Sequence, residues 1–173
     1  MSETLMAAPA PHRPAPSPWF ADRRAAQLLS YAAAFYAVAW AVHTGDHVRR
    51  GVGVLTVEVS TLGSIVAIAQ LLVVAAVFLR WRWAALAAAL IGFPDAVGIA
   101  AVHLLPHWSA FSDAFPGAQR TGVTAFSWFA AVLEVVGALL FGMAGIYALR
   151  VATRRGREGD TAGPGQRPGL AAG

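Results

Sequence analysis

The sequence predicts an all-α integral membrane protein, a four-helix bundle of up-down-up-down topology, and three observations carry that prediction. Four apolar stretches, residues 25–43, 54–79, 83–105 and 123–149, are each long enough to cross the roughly 30 Å hydrocarbon core of a bilayer as a helix. Arginines cluster at the ends of these stretches. Charged residues make up only 13% of the chain against roughly 25% in soluble domains, and the mean hydropathy is +0.57.

Residues 1–17 are rich in Ala and Pro and carry no apolar core, which predicts a disordered arm. Pro18-Trp19-Phe20, followed by Arg23 and Arg24, predicts an interfacial anchor with its aromatic rings at headgroup level. Arm and anchor together form residues 1–24, ahead of a transmembrane domain over 25–150. The first segment carries Tyr36, Trp40, His43 and His47 at steps of four, three and four, a single stripe along one helix face. A turn over residues 46–53, with Arg49, Arg50, Gly51 and Gly53, leads to the second segment. There Gly63 and Ala67 offer a small-x-x-x-small contact, and Arg80-Trp81-Arg82 marks the next interface. The third segment holds Phe93-Pro94-Asp95; proline removes a backbone donor and crowds the preceding turn, which predicts a kink. Residues 106–122 place Trp108, Phe111 and Phe115 at steps of three and four, which predicts a short interfacial helix between helices 3 and 4, lying as a lid over the mouth of the bundle. The fourth segment has Gly137, Gly142 and Gly145 for close packing, and residues 151–173 read as a disordered tail.

All thirteen basic residues are Arg, which together with the abundance of Ala and Gly indicates the codon bias of a GC-rich, bacterial genome. The pI of about 10.6 does not point to nucleic acid, because the arginines sit beside apolar segments rather than along a stripe with interleaved aromatics. Ten of them lie in the terminal arms and the second loop, against Arg49, Arg50 and Arg120 in the first and third loops. The positive-inside rule therefore predicts a multi-pass protein of the bacterial cytoplasmic membrane with both termini cytoplasmic. The lipid bilayer is then its first partner, and a larger membrane complex or self-association is a further one. The chain has no cysteine, which excludes disulfides, thiolate metal ligands, iron–sulfur clusters and c-type haem attachment.

The chemistry concentrates in two His-x-x-x-His pairs, His43 with His47 and His103 with His107. Imidazoles four residues apart share one face of a helix, and the count of segments puts both pairs on the same, outer side. With Asp46 and Glu58 nearby they form a candidate metal set: His43, Asp46, His47, Glu58, His103 and His107. The metal candidates are Zn, Cu or Fe. His43 and His103 on neighbouring helices are also the candidate axial pair for a b-type haem. Counted from the helix ends, Asp95 and Glu134 lie deeper, about 18 Å inward, as a second tier of proton or cation candidates. The inner halves of the segments are almost free of polar groups, which favours a site entered from one face over a transport path. The sequence thus points to a metal- or haem-binding redox or accessory subunit. The alternatives are a non-catalytic membrane scaffold with interfacial histidines and a proton- or cation-coupled transporter.

Overall fold

The computed structural model describes residues 18–117 and 122–161. Among them every long element is a helix: α1 (Arg23–Arg50), α2 (Val57–Phe78), α3 (Ala84–Ile99), which runs on through a π-helical turn at Ala100–Leu104, and α4 (Ala125–Thr161). All four are long and apolar enough to cross a membrane, so the chain is a multi-pass helical bundle. The predicted arm over 1–17, the tail beyond 161 and Arg120 lie outside the described residues.

α4 is the central helix, packed along α1 on one side and α3 on the other, and its glycines make both contacts possible. A Cβ on Gly92 of α3 would come within 2.5 Å of the Ala138 carbonyl oxygen and 2.6 Å of the Gly142 nitrogen. A Cβ on Gly145 would come within 2.6 Å of the Ala85 carbonyl oxygen. The α3–α4 seam is therefore backbone against backbone, lined by Ala84, Ala85, Ala88 and Ala148. Close approach of this kind gathers dispersion contacts where lipid removes the hydrophobic drive between helices. Gly137 does the same more loosely against Tyr36 and Ala39 of α1.

α2 departs from this pattern. No side chain from Val57 to Ala69 is buried, and Gln70, Ala76 and Val77 are its only buried residues. A methyl group on Gly63 would meet nothing within 4 Å, so the predicted Gly63/Ala67 contact is not made within the chain. At the other end of the bundle the short 3-10 turn Pro18–Ala21 seats Trp19 in the core, with its indole nitrogen donating to the Arg82 carbonyl at 3.3 Å and Arg80 lying over the Phe20 ring. Asp22 and Arg155 pair at 2.7 Å there, which places the start of α1 and the end of α4 together.

Three features differ from the sequence expectation, and one agrees with it. α1 continues through the predicted turn as far as Arg50, because Asp46 holds Arg49 and Arg50 one turn on, and it stops only at Gly51, whose φ is 87°. α3 keeps to its expected bounds: it stays helical through Pro94 and ends ahead of Pro106, with Leu105 in the extended conformation that a following proline favours. α4 runs on through residues 151–161, where the disordered tail was expected; Arg, Glu and Ala sustain a helix, and the next proline is Pro164. The expected interfacial helix is absent from the described part of the third connection. Residues 106–117 form turns and a short stretch laid back on the end of α3, where Asp113 N–H donates to the Val102 carbonyl at 3.1 Å and Phe115 N–H to the His103 carbonyl at 2.9 Å. Carbonyls at a helix end need donors, and satisfying them outweighs the weak amphipathic periodicity of the loop.

Candidate metal centre

The longer α1 places His43, His47 and Arg50 on one helix, and the π-helical turn at the end of α3 places His103 across from them. A π turn carries an extra residue and shifts the helical phase beyond it, a device found at functional sites. The rings of His43 and His47 lie 4.7 Å apart, those of His43 and His103 4.7 Å, and those of His47 and His103 5.3 Å. One nitrogen from each of the three lies within 4.8 Å of the others. His43 and His103 are 3% and 2% exposed, whereas His47 is half-buried.

Glu134 contacts His43 Nδ1, joining the two tiers that the sequence separated. The separation came from ending the first helix near Asp46; extending it to Arg50 moves His43 about 6 Å further from the helix end, toward the level of Glu134. With a carboxylate as acceptor at Nδ1, a neutral imidazole carries its lone pair on the remaining nitrogen, Nε2. Three buried side-chain polar atoms among the described residues lack a hydrogen bond: His43 Nε2, Asp46 Oδ2 and Arg50 Nε. The last two face each other as an ion pair at 3.3 Å, which leaves His43 Nε2 as the atom without any partner.

His103 is oriented in the same sense. Its Nδ1 lies 3.2 Å from the Asp113 carbonyl oxygen and 3.4 Å from the Asp113 carboxylate, both acceptors, so Nδ1 donates and Nε2 is again the free ligand atom. His47 differs, because its Nδ1 faces an Arg50 N–H at 3.2 Å and accepts from it. The Asp113 carboxylate, 3.9 Å from the same nitrogen, is a second neighbour.

Arg50 and Asp113 form the frame behind these rings. Asp113 receives Arg50 through both oxygens, and Arg50 also lies over the Phe115 ring, which packs on His103 at 4.8 Å. Burial pushes the Asp113 carboxyl up, but hydrogen bonds from His103 and Arg50 outweigh it and hold the group below the usual carboxylate range. Asp46 is tied to the same frame: its Oδ1 accepts from Arg49 at 2.8 Å and from Ser127 Oγ at 3.1 Å. It stands with its guanidinium partners and not among the imidazoles.

Two further members of the sequence-derived set stand apart. His107 is exposed, because Pro106 breaks the helical register that would have put it over His103. Glu58 is exposed in the first turn of α2, where a carboxylate favours the positive end of the helix dipole. Asp95, in the deeper tier, accepts from Tyr36 Oη at 2.8 Å and from Gln70 Nε2 at 2.6 Å. The sequence reading missed Arg50, Asp113 and Ser127. The spacing of Asp46 to Arg49 and Arg50 was a usable signal for the first, but these arginines read more simply as loop charge; nothing local marks the other two. No model of a known protein family matches the chain, and comparison with curated proteins and with solved structures gives no match either.

Proposed function

We propose that this is a membrane metalloprotein in which His43, His47 and His103 hold a divalent transition-metal ion near the outer end of the bundle. The buried, unpartnered Nε2 of His43 is the observation that carries this reading. With Nδ1 held by Glu134, the ring is set in the carboxylate–histidine–metal arrangement in which an outer carboxylate fixes the tautomer and raises ligand basicity. Three imidazoles without thiolate suit Zn or Cu, and three protein ligands leave a position open, as catalytic sites do. Binding through His47 Nε2 requires its hydrogen to move to Nδ1, which then turns from Arg50 toward the Asp113 carboxylate 3.9 Å away.

Ring spacing favours a single ion over haem. Two imidazoles on one tetrahedral ion, at about 2.0–2.1 Å per bond, set their ring centres about 5 Å apart, whereas trans ligands of a haem iron set them beyond about 6 Å. The spacings of 4.7 to 5.3 Å match the first arrangement. We further propose that both termini are cytoplasmic, on the arginine count, so that the site faces the cell exterior or periplasm.

Metal analysis of detergent-purified protein from metal-replete cells tests the reading. A single Zn or Cu ion per chain is expected, with no Soret band, and it is expected to be lost in His43→Ala and His103→Ala variants whose helical circular dichroism is unchanged. Wild-type protein free of metal that also fails to take up added Zn or Cu overturns it.

A further inference from the structure

The outer half of α2 stands off the bundle, and behind it a cleft of about 420 Å³ runs between α2 and the facing sides of α1 and α3. Its walls are apolar, with Val59, Leu62 and Val66 from α2 and Ile91, Ile99 and Val102 from α3. Its outer end carries the three imidazoles and Glu134, and its inner end Gln70 and Asp95. From Val59 to Gln70 the α2 wall extends about 16 Å. An elongated apolar cleft of this length suits a hydrocarbon chain lying along α2.

We propose that this cleft takes a single-chain amphiphile with a carboxylate head, the head meeting the open position of the bound ion and the chain lying along α2. The proposal rests on the metal reading above and names the class of ligand for that site. Charge argues for the head group. A divalent ion on three neutral imidazoles, with the Glu134 carboxylate behind His43, presents positive charge at its open position in a medium of low dielectric, and a carboxylate ligand neutralises it. Both Asp95 oxygens are taken by Tyr36 and Gln70, so the head group belongs at the imidazole end. The apolar walls with a few polar groups at one end are the usual composition of a small-molecule site.

The test uses the full chain in detergent with Zn²⁺ added, and cis-parinarate, whose polyene fluorescence is excited by transfer from tryptophan; Trp40 lines the cleft. Saturable binding is expected. Gly63→Phe, which puts a ring into the cleft from a position with open space around it, is expected to weaken it about tenfold or more while Zn content is unchanged. Ile65→Phe, on the exposed side of α2, is expected to bind as wild type does. Removing Zn²⁺ is expected to weaken binding about tenfold or more, and decanoate is expected to compete where decanol does not. Equal binding by Gly63→Phe and wild type, equal competition by decanol, or affinity indifferent to Zn²⁺ each overturns the proposal. Failure of wild type to hold Zn²⁺ overturns the metal reading, and the carboxylate-on-metal placement with it; the contrast between Gly63→Phe and Ile65→Phe then still decides whether the cleft holds the chain.

Discussion

Glu134 determines what His43 presents to the cleft, since a carboxylate on Nδ1 leaves Nε2 as the only lone pair. Replacing it with a neutral amide keeps the volume and removes the charge. Glu134→Gln is therefore expected to fold and to bind Zn²⁺ about 10- to 100-fold more weakly, measured by competition with a chelating dye. Asp113 answers to a different requirement. Its removal as Asp113→Asn leaves the buried Arg50 guanidinium with Asp46 alone, and an expected loss of up to about 3 kcal/mol would be read from unfolding in micelles. Because this carboxyl is held low in the folded protein, its contribution is complete above the unfolded value near 3.9 and is lost as the pH falls below it. The pairing of His43 with His47 is visible in their spacing alone, whereas Arg50 with Asp113 spans 63 positions and no local pattern marks it.

At the scale of elements, α3 and α4 meet through glycine, and α2 does not. Gly92→Ala places a methyl 2.5 Å from a carbonyl oxygen, so the helices must separate; a loss of about 1–3 kcal/mol is expected in thermal unfolding. Gly63→Ala meets open space and is expected to change stability by less than about 0.5 kcal/mol. The sequence showed small residues in both places, and the periodicity could not say which pair was in contact. Helix ends were equally ambiguous. An Asp-His-x-Arg-Arg-Gly stretch reads as a polar turn, yet ion pairs one turn apart carry the helix through it, and that extension sets the depth of His43.

For the whole molecule, the ten arginines in the terminal arms and second loop against three in the first and third loops make a directional claim. A fluorescent protein fused to the C-terminus is expected to be bright and a fused alkaline phosphatase inactive; the opposite result reverses the orientation. The number of helices, their apolar length and their alternating direction were all readable from the chain, because burial in lipid requires long unbroken apolar runs whatever the tertiary contacts. The gathering of His43, His47 and His103, the exposure of His107 and Glu58, the capture of Asp46 by guanidinium groups and the cleft behind α2 were decided by the tertiary structure. Each of these depends on helix phase and helix separation, which a π turn, a proline or one glycine contact alters by a fraction of a turn, and a one-dimensional pattern does not carry that information.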